Sequence, residues 1–287
     1  MPKIETKRVT LNVRESGAGF PLVLVHGWPE SGYCWERVLP HLGSGFRVIR
    51  PDLRGLGDSE RGGVVADYHK AALAQDVLAV LDALQVERFG LVGHDWGGAV
   101  AQEMAIAAPE RVSRLCLMNI MLVNNPAGFL KAEEAHGKQR HRALWYQNFM
   151  QVPGLSEALV PGNEEAWLRT FLRFKDDQKE FPADAVSEYV RCYAIPGTPL
   201  SGANYYRAMR EEAPRWRALA GQRFPMPALL LFGRHDPVVI PEYLEGHQEC
   251  FDDVTVQWVE ASHFVQEERP DEVGRALEEF FAPLRAG

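Results

Sequence analysis

Cysteine is scarce in this sequence: Cys34, Cys116, Cys192 and Cys250 are the only four in 287 residues, and no two form a C-x-x-C pair. That spacing argues against a disulfide framework and leaves free thiols in a reducing compartment as the expectation. No apolar run approaches the roughly 18 residues that cross a bilayer. The opening Met1-Pro2-Lys3-Ile4-Glu5-Thr6-Lys7 has no apolar stretch of signal-peptide type. A basic excess is missing too. The 31 Lys and Arg against 39 Asp and Glu leave a net charge of −8, which disfavours a nucleic-acid or anionic-membrane surface. Internal repeats, low-complexity tracts, a Walker loop and H-E-x-x-H are all absent. Gly55-x-Gly57 lacks the third glycine and following helix of a dinucleotide fingerprint. What remains is a chain 46% hydrophobic and 24% charged, the balance of a soluble globular protein. A cytoplasmic monomer or homodimer is expected.

At about 150 residues per domain the length suits one large domain or two small ones. Pro21-Leu22-Val23-Leu24-Val25, Phe46-Arg47-Val48-Ile49-Arg50, Phe89-Gly90-Leu91-Val92, Ala228-Leu229-Leu230-Leu231-Phe232 and Val254 to Val259 read as strands covered on both faces. Between them, Leu73, Val77, Leu81 and Leu84 mark one face of a helix, and Val273, Leu277, Phe280 and Leu284 mark another. Strand and helix alternate, which predicts an α/β fold built on a mostly parallel central sheet flanked by helices. The alternation stops between about residues 121 and 222. That stretch is rich in Trp, Tyr, Glu and Arg, with helical segments at 166–172 and 205–210. Turns are expected at Pro153-Gly154, Pro161-Gly162 and Pro196-Gly197. It reads as a helical insertion, so that 1–120 and 223–287 form one sheet domain around 121–222. His136 and His141 lie in a charged part of it and are expected to be solvated.

The segment richest in chemistry is Gly93-His94-Asp95-Trp96-Gly97-Gly98, between a strand and a helix expected from Ala99 to Ala108. Glycines two before and two after a central residue give the nucleophile-elbow shape G-x-S-x-G, here with Asp95 at the centre. The plainer alternative is an Asp that caps the helix. Asp236 follows the Leu-rich strand and His263 follows the next, completing the order nucleophile, acid, His at the ends of three strands. His26-Gly27-Trp28-Pro29 follows an earlier strand. It can offer the Trp28 backbone N–H as an oxyanion donor beside that of Trp96.

The H-G-x-P loop, Asp52-Leu53-Arg54-Gly55-Leu56-Gly57-Asp58-Ser59 and G-H-D-W-G-G together resemble the epoxide hydrolases of the α/β-hydrolase fold, over essentially the whole chain. The resemblance implies that the insertion is a cap carrying two tyrosines that bind the epoxide oxygen and protonate it. Tyr146, in Tyr146-Gln147 followed by Gln151-Val152-Pro153-Gly154, takes the place of one. Tyr206, in Asn204-Tyr205-Tyr206-Arg207, takes the other, with Tyr205 as the fallback of the doublet. Asp52, Arg54 and Asp58 then serve mainly to shape their loop. The implied chemistry needs no metal or organic cofactor. An apolar or aryl epoxide is alkylated onto Asp95, and His263, oriented by Asp236, activates water to cleave the ester. Haloalkane and haloacetate dehalogenases share the Asp elbow and are the alternative. Trp28 and Trp96 stand where those families often carry Asn and Arg, which favours the epoxide.

Overall fold

The computed structural model describes residues 2–137, 140–174 and 179–286. Eight strands form one sheet: β1 (Lys3–Glu5), β2 (Thr10–Gly17), β3 (Gly19–Val25), β4 (Gly45–Pro51), β5 (Phe89–His94), β6 (Val112–Met118), β7 (Ala228–Gly233) and β8 (Val254–Val259). Their order is β1-β2-β4-β3-β5-β6-β7-β8. The pairs β1–β2 and β2–β4 are antiparallel and the rest parallel. Every residue of β5 and β7 is buried, as continuous apolar runs in the middle of a two-faced sheet should be. At the edge, β8 alternates instead, with Thr255 and Gln257 exposed.

Three of these strands escape a search for apolar runs. In β2 only Leu11 and Val13 are apolar and buried, while Asn12 and Arg14 are buried among polar partners. β1 is three residues long, and in β6 half-buried Ser113 and Arg114 interrupt the buried apolar residues Val112 and Leu115–Met118.

The flanking helices are α1 (Lys70–Ala83) and α2 (Trp96–Ala107), with α10 (Val265–Glu268) and α11 (Pro270–Phe281) closing the chain. Leu73, Val77 and Leu81 of α1 are fully buried, one face at i, i+4, i+8. In α11 the fully buried positions are Val273, Leu277 and Phe281, while Phe280, and Leu284 in the short turn beyond the helix, are only half-buried. Between β6 and β7 the described residues form helices and no strand. They are α3 (Pro126–His136), α4 (Arg140–Ala143), α5 (Trp145–Gln151), α6 (Leu155–Leu159), α7 (Glu164–Leu168), α8 (Ala183–Tyr193) and α9 (Thr198–Ala218). Helix 166–172 is shorter than its pattern suggests: α7 stops at Leu168. The Pro-Gly turns fall between helices, with Gly154, Gly162 and Gly197 all at positive φ. The four cysteines are buried and free. No described helix is long and apolar enough to cross a membrane.

His136 is not solvated. It is buried at the end of α3, with its Nε2 3.2 Å from Val238 O and its ring against Tyr243. The apolar side of α3 carries it under the loop after β7, which outweighs the charged residues around it in sequence. The side chain of His141 lies outside the described residues.

Candidate active site

One residue separates β5 from α2. Asp95 makes that turn at φ +49°, ψ −131°, a conformation costly for a residue with a Cβ and typical of strained functional turns. The flanking glycines are required by space. A Cβ on Gly93 would stand 2.4 Å from Gly97 O, and one on Gly97 would stand 2.3 Å from His26 O. Helix α2 begins at Trp96, three residues before its apolar pattern suggests. Asp95 occupies the capping position, yet its side chain caps nothing. Its Oδ1 accepts instead from the Trp28 backbone N–H at 2.8 Å. The Trp96 N–H is the first of α2, where no carbonyl four residues back is available within the helix.

On the other oxygen, His263 Nε2 stands 3.5 Å from Asp95 Oδ2. The imidazole's Nδ1 is 2.7 Å from Asp236 Oδ2. Asp236 is held on every side: Asn119 Nδ2 donates to Oδ2 at 2.7 Å, and the Val238 and Val239 amides donate to Oδ1 at 2.7 and 3.0 Å. Burial alone would raise its pKa. The charge and hydrogen bond of His263, with these donors, hold it below the usual carboxylate value instead. Burial would likewise lower His263, but the charge and hydrogen bond of Asp236, then those of Asp95, keep it well above 6.5. The two neighbouring carboxylates thus favour the protonated imidazole, and His263 in turn favours the ionised Asp236. Replacing Asp95 by Asn removes one of the two anions, so His263 should titrate at lower pH than in the wild type, followed by NMR of its ring. An unchanged titration would assign the whole upward shift to Asp236.

Two cavities meet at Asp95. One, of about 200 Å³, is walled by Trp96, Ile120, Leu144, Met209, Trp216 and Tyr243. The other, of about 380 Å³, is walled by Trp28, Phe171, Phe174, Ser262, His263 and Phe264. Asp95, Tyr146, Tyr206 and Val238 line both. Tyr146 comes from α5 and Tyr206 from α9, with ring centroids 5.5 Å apart and planes at 87°. Both pack on Trp28, Tyr146 stacked at 5.8 Å and Tyr206 edge-on at 5.5 Å. Burial, with the nearby Asp95 charge, raises both phenols, so they are protonated donors throughout the neutral range.

The tyrosine doublet divides cleanly. Tyr205 lines neither cavity, and its hydroxyl donates to Arg54 O at 2.8 Å. Successive residues on a helix point about 100° apart, so only one of the pair can face Asp95. Asp52 accepts from the Gly32 and Asp58 amides and from Asn12. Arg54 pairs with Asp76, and Asp58 with Arg191. Asp52 thus braces its own loop, while Arg54 ties that loop to α1 and Asp58 ties it to α8.

Sequence reasoning misses Asn119, whose Oδ1 also accepts from Gly233 N. Its signal is a polar residue directly after the apolar end of β6, a strand the apolar-run search overlooks. A buried network behind the imidazole is missed as well. His94 Nε2 is 2.9 Å from His263 O, its Nδ1 is 3.1 Å from Glu30 Oε2, and Gln266 Nε2 donates to both Glu30 oxygens. Among the described residues no group of three His, Cys, Asp or Glu side chains is arranged to hold a metal ion.

Comparison with known proteins gives consistent matches. Residues 21–270 match the family described as the alpha/beta hydrolase fold. A soluble epoxide hydrolase of Corynebacterium sp. (strain C12) is 34% identical over 275 residues, covering 94% of this chain and 93% of that protein. Epoxide hydrolase A of Mycobacterium tuberculosis is 28% identical, covering 98% and 97%. The solved structure of the epoxide hydrolase CorEH without ligand superposes with a TM-score of 0.84 at 31% identity, covering 99% of this chain and 98% of that one.

Proposed function

The chain belongs to the α/β-hydrolase fold family, and from that premise we propose that it is an epoxide hydrolase, turning apolar or aryl epoxides into vicinal diols. The observation that carries this reading is the pair of protonated phenols, Tyr146 and Tyr206, on the wall of both cavities at the carboxylate of Asp95. In it, residues 121–222 act as a cap and 1–120 with 223–287 as the catalytic core.

An epoxide presents a saturated carbon and a strained ring oxygen, so a serine nucleophile would leave a stable ether. An aspartate leaves an ester that water can cleave. Asp95 Oδ2 attacks the ring carbon while Oδ1 stays on the Trp28 amide. The C–O bond breaks, and a phenol proton passes to the departing oxygen. General-acid help of this kind is typically worth ~10²–10⁴ in rate.

Ester formation removes the charge of Asp95, and with it part of what holds the proton on His263. The imidazolium then loses its proton more readily, restoring the phenol directly or through solvent. Neutral His263, oriented by Asp236, takes a proton from water, and the hydroxide attacks the ester carbonyl. The Trp28 and Trp96 amides stabilise the tetrahedral oxyanion, each such donor typically worth about 10²–10³. Collapse releases the diol and regenerates the Asp95 carboxylate. When ester cleavage limits turnover, the rate rises with pH through the imidazole titration of the ester form. That titration lies below the resting one.

A second reading has its own observation. The Trp96 indole Nε1 is buried near the Tyr206 side chain, without a hydrogen bond of good geometry, in a residue that walls the cavity at Asp95, and a leaving halide could accept from it. Incubation with styrene oxide, a broader epoxide panel and a haloalkane, measuring diol and halide, separates the two. Diol formation is expected. Halide release with no diol from any epoxide would establish a hydrolytic dehalogenase instead.

A further inference from the structure

The first residue of α1 is a lysine with no exposed surface. Lys70 Nζ donates to Tyr205 O at 2.7 Å and to Glu212 Oε2 at 2.9 Å, both on α9. It lies 4.1 Å from the centroid of the Trp96 ring. The Lys70 backbone N–H donates to the other oxygen of the same carboxylate. Glu103 of α2, also buried, is occupied separately, accepting from Arg215 and from Trp216 Nε1.

A buried ion pair is weak as a source of stability, because removing both charges from water costs about as much as their attraction returns. The partners of this pair suggest another use. Tyr205 O belongs to the peptide that leads into Tyr206, Glu212 lies further along the same helix, and Trp96 directly follows Asp95. One cation thus touches the helix that carries the proposed proton donor and the elbow that carries the proposed nucleophile. A face of the Trp96 ring meets the ammonium, and the ring also packs against Tyr206 with centroids 5.5 Å apart.

We propose that Lys70 is a positioning residue for epoxide opening: with Glu212 it fixes α9 on the elbow and so holds Tyr206 against Asp95. The inference rests on the reading of Asp95 as nucleophile and Tyr206 as proton donor. It predicts that the loss of Lys70 acts through Tyr206 and through the first half-reaction.

The test uses the full chain and single-turnover formation of the ester with styrene oxide, read by protein mass. Lys70→Met alone would strand the Glu212 carboxylate in the interior, so the variant is Lys70→Met with Glu212→Met. Ester formation should slow on the order of ten- to hundredfold, as a modest misplacement of a reacting group does, with ester hydrolysis little changed. In a Tyr206→Phe background the same pair of changes should cost less than about threefold, because coupled residues are not additive. Lys70→Gln with Glu212→Gln keeps hydrogen bonds in place of the ion pair and should restore most of the rate. It also serves if the Met pair does not fold. Equal losses in the wild-type and Tyr206→Phe backgrounds would overturn the inference and leave a structural role. So would a Gln pair that folds and is as slow as Tyr206→Phe, or a Met pair with unchanged ester formation. A wild-type protein that forms no ester would overturn the reading beneath it as well.

Discussion

His263→Gln should stop turnover after the first half-reaction and accumulate the alkyl ester. Glutamine cannot take a proton from water, so ester cleavage should fall by ~10²–10⁴, the usual worth of a positioned general base. Attack by Asp95 on the epoxide needs no base, since a carboxylate has no proton to give up before it attacks. The expected product is a protein heavier by one epoxide, with the added mass on the peptide that carries Asp95. Unmodified protein that still binds the epoxide would exclude the two-step route. The variant should fold, because His263 contributes a loop side chain whose main-chain carbonyl, held near His94, is retained.

Removing both phenols should block the step before that. Tyr146→Phe with Tyr206→Phe keeps the rings that pack on Trp28 and on each other but leaves the departing oxygen as an alkoxide. A loss of ~10²–10⁴ in ester formation is expected, with an unchanged melting temperature. Each single change should cost about half of that on a logarithmic scale, roughly ten- to hundredfold. Near-wild-type turnover by the double variant would show that the proton comes from elsewhere. The pair His263→Gln and Tyr146→Phe/Tyr206→Phe therefore divides the reaction at the ester, one variant filling that state and the other never reaching it.

The central strands are legible because β5, β7 and Leu22–Val25 of β3 are buried, and apart from His94 at the end of β5 they carry no polar side chain. β2 and β6 are not, because part of each is polar: Asn12 and Arg14 of β2 pair with Asp52 and Glu188, and β6 carries half-buried Ser113 and Arg114. For Asp95, Asp236 and His263 a local signal exists: each follows a strand end, and the glycines around Asp95 have a steric cause the coordinates make explicit. No local signal identifies Tyr146 or Tyr206. Their nearness to Asp95 comes from the approach of α5 and α9 to the elbow, which neither periodicity nor composition encodes, so only the family resemblance singles them out. The same limit hides Asn119 and Glu30, whose partners lie more than sixty residues away in sequence. Tyr205 and Tyr206 are chemically identical in the sequence. A turn of about 100° between neighbours on a helix separates a loop prop from a cavity wall.

β6 and β7 are neighbours in the sheet, pairing Leu115 with Ala228, although more than a hundred residues of chain lie between them. The entropy of closing such a loop grows only with the logarithm of its length, about 0.6 kcal/mol for each doubling. Lengthening, shortening or exchanging the segment between these strands is therefore nearly free for the sheet. Asp95, Asp236 and His263 sit outside the excursion and keep their places whatever its size, while both phenols and much of the cavity wall lie within it. In the proposed reaction the sheet supplies nucleophile, acid and imidazole while the excursion supplies the proton donors and much of the cavity wall, so exchanging the excursion is a route by which the range of substrates can change with the sheet undisturbed.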